Sequence, residues 1–381
     1  MIDFLLTVML TVIVILGLWM LWQRGAFSRR ENDAQEDARI SPLLRGINYL
    51  LAEEPDRALQ EMVKVARLRS EAAEVYMALG GMFRAKGEIG RAVRIHQNIL
   101  ARPGISPEMY LQASFALAQD FQTGGLLDRA LKQYGKVLER DSGHVGALEA
   151  SLRIREQSSE WALADELLLR LDRVQRSESN LHRAYLLAEI AREKKKAGDI
   201  AGGLEYAEQA LRLSPMCASA YLLKIEIHLA SNERKEALAS MEALRDSAPQ
   251  YLPLLPPLLI KHAKCYKAFG KEFLLRCWEE ARGDSFALSW LEAVNDKEKG
   301  GEKVVNLASE LQFEPIGLRS ALRLAAISGV ESAFSRHAIE WRKQAKNFLC
   351  QRCGVEVVEM RWQCPQCHEW GSMKSISDKE V

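Results

Sequence analysis

The chain carries none of the short motifs that commit a sequence to phosphate or acyl chemistry: G-x-x-x-x-G-K-[ST], G-x-S-x-G, H-E-x-x-H and G-x-G-x-x-G are all absent. Phosphate cradles, nucleophile elbows, zincin helices and dinucleotide turns therefore lack their sequence signatures. An excess of charge is missing too, since 52 Lys and Arg meet 51 Asp and Glu over 381 residues and leave a formal net charge of +1. That balance gives no surface-wide basic footprint, and no nucleic-acid partner is expected. Cysteine is sparse and odd in number: of seven, four crowd the last stretch as two C-x-x-C pairs, while Cys217, Cys265 and Cys277 are scattered. Such a split points to reduced thiols serving a metal and argues against a disulfide framework. His96, His182, His228, His262 and His337 show no ligand spacing. No catalytic and no cofactor-binding residue is assigned, and the chain reads as a non-enzyme.

What is present begins with an apolar run. From Phe4 to Trp22 the chain reads FLLTVMLTVIVILGLWMLW without a charge. As a helix this segment reaches about 28 Å, close to the hydrocarbon thickness of a bilayer. It begins after Asp3 and runs through Trp19, Met20 and Trp22, unlike a signal peptide with its basic start and small-x-small cleavage site. Arg24, Arg29 and Arg30 follow the span and no basic residue precedes it. The positive-inside rule then predicts a single-pass anchor with its N-terminus outside and the rest of the chain in the cytoplasm.

A period of roughly 34 residues fills the middle, the length of one tetratricopeptide unit. One unit reads Leu79-Gly80, Phe83, Gly87, Ala92, His96 and Ile99, closed by Pro103; the next repeats it with Leu117-Ala118, Phe121, Gly125, Ala130, Tyr134 and Val137. Further copies run through Ile190-Ala191, Gly198, Gly203, Ala207 and Ala210, and through Ile225, Asn232, Ala237, Met241 and Leu244. Weaker ones centre on Ala58 and on Ala164, and a degenerate copy is expected from Pro257 with Ala263, Tyr266 and Gly270. Each helix pair cannot bury its apolar stripe alone, so pairs stack, and small residues such as Ala92 allow close approach. Beyond residue 283 the repeat fades, although SFALSWLEAV, EKVVNLASEL and the stretch from Leu318 to Phe348 still read as amphipathic helices.

The strongest chemical signal is CQRCGVEVVEMRWQCPQC, which sets Cys350, Cys353, Cys364 and Cys367 in two C-x-x-C knuckles. Two residues between thiolates let one turn aim both sulfurs at one ion, and four thiolates select zinc or iron. VEVVEMRW alternates like a strand and is expected to form a hairpin between the knuckles. Trp362 and Trp370 are expected to cover the sulfurs and to dock the module onto the helices. His368 could replace a cysteine as a ligand, but it directly follows Cys367 and reads as facing solvent or as lying just behind the ligands.

The fold class expected is all-α: an N-terminal transmembrane helix, a tetratricopeptide-repeat superhelix and a small C-terminal rubredoxin-like tetracysteine knuckle. Residues 1–23 form the anchor, 24–38 a juxtamembrane linker, 39–282 the repeats, 283–348 a divergent helical cap, 349–374 the metal-binding domain and 375–381 a tail.

Taken together, the anchor, its Arg-rich exit, the repeats (GMFRAKGEIGRAVRIHQNIL among them) and RWQCPQCHEW resemble the lipopolysaccharide assembly protein B (LapB, YciM) family over nearly the whole chain. The resemblance implies a protein of a Gram-negative inner membrane that restrains lipopolysaccharide synthesis. It further implies an adaptor that presents the lipid A deacetylase LpxC to the membrane AAA protease FtsH, opposed by the membrane regulator PbgA (YejM). The family's metal ligands fall on Cys350, Cys353, Cys364 and Cys367. Other readings stay open at this point: a structural factor bridging lipopolysaccharide synthesis and export complexes, a rubredoxin-like electron carrier, and homo-oligomerisation.

Overall fold

The computed structural model describes residues 73–280, 283–298, 301–315, 318–328 and 345–376, with isolated positions between 45 and 61 and between 338 and 342. The apolar run, the linker and most of the copy around Ala58 lie outside the described residues. Among the described residues no helix is long and apolar enough to cross a membrane. The chain divides into two compact units, Met1–Ala147 and Leu148–Val381.

Helix pairs build the first unit: α1 (Ala73–Ala85) with α2 (Ile89–Leu100), and α3 (Pro107–Thr123) with α4 (Leu127–Arg140). The second unit carries most of α5 (Val145–Gln157), then α6 (Trp161–Gln175), α7 (Asn180–Lys196), α8 (Ile200–Leu213), α9 (Ala218–Ala230) and α10 (Arg234–Ser247). One turn closes all five pairs. Two residues past each first helix stands a left-handed residue: Gly87, Gly125, Ser159, Gly198 and Asn232, with φ of 76°, 72°, 58°, 87° and 61°. The next amide then reaches back five residues, as in Glu88 N–H to Phe83 O (2.9 Å), Glu160 to Arg155 (2.8 Å) and Glu233 to His228 (2.9 Å). This capping turn satisfies the last carbonyls of the first helix and reverses the chain, and glycine adopts it without a Cβ penalty.

The fourth residue of each second helix is Ala92, Ala130, Ala164, Gly203 or Ala237, and the four alanines are fully buried. A Cβ on Gly203 would stand 3.1 Å from the Ala191 carbonyl, so this is where the paired helices approach most closely. One turn on, the same register buries His96, Tyr134, Leu168, Ala207 and Met241.

After α10 the pattern changes. A 3₁₀ turn (Pro249–Leu254) leads into a short α11 (Leu255–Lys261), and after His262 a helix resumes through a π-helical turn (Tyr266–Gly270) into α12 (Lys271–Glu280). The degenerate copy expected from Pro257 is thus not a pair of the same kind. Pro253, Pro256 and Pro257 withhold three amide donors where a first helix would need them. Helices α13 (Asp284–Glu298), α14 (Gly301–Glu310) and α15 (Leu318–Ile327) follow. They enclose a core with Trp290 and Leu291 fully buried and an Arg323–Glu292 ion pair at 2.8 and 2.9 Å.

Three short strands finish the fold: β1 (Phe348–Cys350), β2 (Glu356–Val357) and β3 (Met373–Ser375), in the order β2-β1-β3 and antiparallel throughout. Phe348 pairs with Val357 on one side and Ser375 on the other. Phe348 is therefore strand and not the end of a helix begun at Leu318, because the sheet takes its backbone. The expected hairpin shrinks in the same way: of VEVVEMRW only Glu356–Val357 pairs.

Candidate metal centre

The two knuckles share one backbone design. After Cys350 and Cys353, the amide of Gly354 returns to Cys350 O at 2.9 Å; after Cys364 and Cys367, the amide of His368 returns to Cys364 O at 3.1 Å. Gly354 (φ 75°) and His368 (φ 57°) both take the left-handed conformation this closure demands. The turns bring the four sulfurs within 4.8 Å of one another, with Cys350 to Cys367 and Cys353 to Cys364 each at 3.7 Å. A disulfide would need about 2.05 Å. A tetrahedron of thiolates at about 2.3 Å from a central ion has edges of about 3.8 Å, so the four residues fit a zinc-sized or iron-sized ion. Four sulfurs fill such a shell and leave no position for substrate or water.

Crowding four thiols splits their proton affinities. Burial pushes Cys350 up, but the Ser372 hydroxyl at 3.2 Å and the backbone amides of Cys353 and Arg352 outweigh it and bring the thiol down to about 6. Burial and the neighbouring sulfurs push Cys367 up to about 12. A bound dication relieves this repulsion, since it favours the thiolate at every ligand.

Phe348, Val355, Val357, Met360 and Met373 pack against the sulfurs. The two tryptophans do the other half of what the sequence suggested: they hold the module on the helices of the second unit. Trp370 is 6% exposed and lies 5.7 Å from Tyr185 in a stacked arrangement, 6.0 Å from Trp161 and 5.9 Å from His182. Trp362 meets Tyr185 at 5.7 Å and Tyr251 at 5.4 Å. Tyr251 donates its hydroxyl to Gly371 O at 2.7 Å. Burial pushes the Tyr185 and Tyr251 hydroxyls up, so both stay protonated. Gly371 is required here, because a Cβ would stand 2.7 Å from the Tyr185 oxygen.

Glu156, near the end of α5, collects the polar side of this contact. Trp370 Nε1 donates to one carboxylate oxygen at 3.1 Å, Gln363 Nε2 donates to the other at 3.0 Å, and His182 Nε2 stands 2.5 Å away. Neither Glu156 nor His182 has a role that the sequence alone assigns. The signal was faint: Leu148, Leu152 and Glu156 are four apart, which puts an acid on a buried stripe. Cys217, Cys265 and Cys277 are buried apart from the cluster.

Comparison with known proteins agrees with this geometry. A family model described as a rubredoxin metal binding domain matches residues 348–375, and one described as a tetratricopeptide repeat matches residues 189–251. A curated Escherichia coli K12 protein named Lipopolysaccharide assembly protein B is 24% identical over 370 residues, covering 93% of this chain and 94% of that protein. Its Haemophilus influenzae namesake is 26% identical over 385 residues, covering 94% and 96%. A solved tetratricopeptide repeat protein from Parabacteroides merdae is 13% identical with a TM-score of 0.35, covering 71% of this chain and 98% of that one. The resemblance read from the sequence is borne out: the chain has homologues named Lipopolysaccharide assembly protein B over 93% of its length.

Proposed function

We propose that this homologue of Lipopolysaccharide assembly protein B is a non-enzymatic scaffold that presents the deacetylase LpxC to the membrane protease FtsH and so restrains lipid A synthesis. The observation that carries the reading is the closed tetrathiolate site locked onto the repeats through Glu156, Trp362 and Trp370. A saturated metal shell has no reactive position, so its contribution is to hold a module in place. Cys350, Cys353, Cys364 and Cys367 are its ligands, for zinc or iron.

In this proposal residues 1–23 anchor the chain once in the inner membrane with the N-terminus periplasmic and the bulk cytoplasmic. Confinement near the protease raises the local concentration of a held client without any new contact. PbgA (YejM) opposes the process by binding the scaffold. The test is the half-life of LpxC in cells with and without this chain. The half-life is expected to lengthen when the chain is removed, and an unchanged half-life would sink the adaptor and favour a structural bridging role.

A further inference from the structure

A cleft of about 340 Å³ opens in the first unit against α1 and α3. Met77, Gly81 and Arg84 line it at i, i+4 and i+7 on α1, and Leu111, Phe115 and Gln119 line it at i, i+4 and i+8 on α3. One face of each of two neighbouring first helices therefore meets one space.

Among the described residues the polar lining has no carboxylate: Arg84, His144 and the amides of Gln112 and Gln119 bring donors, and His96 lies beside them. Arg84 is fixed from behind, since its Nη1 donates to Asp120 Oδ1 at 2.9 Å and to Ala116 O at 3.2 Å. Its Nε and Nη2 hydrogens find no acceptor among the described residues. Asp120 is fully buried, and its second oxygen stands 2.5 Å from His96 Nδ1. A carboxylate of this kind only accepts, so Nδ1 carries the hydrogen. The fully buried ring is left with an Nε2 that has no hydrogen-bond partner. His144 accepts the Ala147 amide on Nδ1 at 3.1 Å, which puts a hydrogen on its unpartnered Nε2. Its ring packs 4.7 Å from Phe115.

The fold does not require this arrangement. In the other four pairs the place of His96 is taken by Tyr134, Leu168, Ala207 and Met241, and that of Asp120 by Met82, Ile154, Glu193 and Ile227. We infer that the cleft docks an extended peptide segment of a partner protein and reads a side-chain carboxylate on it. Charge and hydrogen-bond complementarity select that occupant: among the described residues the Nε and Nη2 hydrogens of Arg84 and the Nε2 hydrogen of His144 lack acceptors, while Met77, Leu111 and Phe115 supply an apolar floor for the stem of an acidic side chain. The inference rests on the scaffold reading and adds the chemistry of one contact.

The test uses the full purified chain in detergent micelles and an array of octapeptides blocked at both ends, in matched pairs with a central Glu or Gln. Anisotropy titrations then follow on the strongest pairs and on Gln peptides given a free C-terminus. Glu peptides are expected to bind at least about tenfold tighter than either Gln form. Gln119→Glu, at a half-buried position whose side chain makes no hydrogen bond among the described residues, is expected to weaken the Glu peptides at least about tenfold with an unchanged melting temperature. No binding, equal binding of Glu and Gln peptides, preference for a free C-terminus, or full binding by a folded Gln119→Glu chain would each overturn the inference. The LpxC half-life is read separately, so the cleft can fail while the scaffold stands, and the reverse.

Discussion

Replacing Glu156 by alanine should release the metal module from the helices without unfolding either. The carboxylate accepts from Trp370 Nε1 at 3.1 Å and Gln363 Nε2 at 3.0 Å, and it faces His182 at 2.5 Å. The His182 side chain is 27% exposed and can turn to water, so two bonds count. A hydrogen bond to a charged acceptor contributes about 1.5–3 kcal/mol. The lower figure applies, because removing a buried carboxylate also removes its desolvation cost. The sum is about 3 kcal/mol, or about a hundredfold in the docking equilibrium. Hydrogen exchange reads this directly: the amides of Trp370 and Gly371, which meet Tyr185 and Tyr251, should lose about a hundredfold in protection. The Gly354 amide, bonded to Cys350 O at 2.9 Å inside the knuckle, should keep its protection. Protection of Trp370 and Gly371 within threefold of the parent would refute the assignment of Glu156 as the latch.

Gly80→Ala puts a Cβ 2.4 Å from His96 Nε2, against a ring with no room to move, whereas Gly81→Ala meets nothing within 4 Å. The first should cost about 2 kcal/mol through overpacking and lower the melting temperature, whereas the second should leave it unchanged or raise it. His368→Gly relieves a left-handed histidine, and the metal-loaded ribbon should gain about 1 kcal/mol and resist chelators longer; faster metal loss would contradict this. Chelation should open the knuckles and leave four alkylatable cysteines and no more, because Cys217, Cys265 and Cys277 are buried in the helical core. A mass count of alkylated cysteines above or below four would contradict the assignment.

The repeats were legible because their turns write themselves into local sequence: Gly87, Gly125 and Gly198 mark the left-handed residue, and Ala92, Ala130 and Ala237 mark the close approach. Ser159 hides the same turn, which made the pair around Ala164 look weak. The four cysteines were legible because one knuckle needs only adjacent residues. Glu156 and Asp120 were not, since each acts on partners far along the chain: Trp370 lies 214 residues from Glu156, and His96 lies 24 from Asp120 on another helix. A lone acid in an amphipathic stretch carries no local sign of its partner. Strands β1 and β3 escaped for a related reason, as Phe348–Cys350 is recruited into a sheet only once Met373–Ser375 is alongside.

Reconstitution tests the central claim most directly. LpxC is incubated with FtsH in proteoliposomes, with and without the purified full chain, and its loss is followed over time. A scaffold without chemistry of its own should speed degradation by FtsH and leave LpxC intact when FtsH is omitted. Equal degradation with and without the chain, or loss of LpxC to the chain alone, would contradict it.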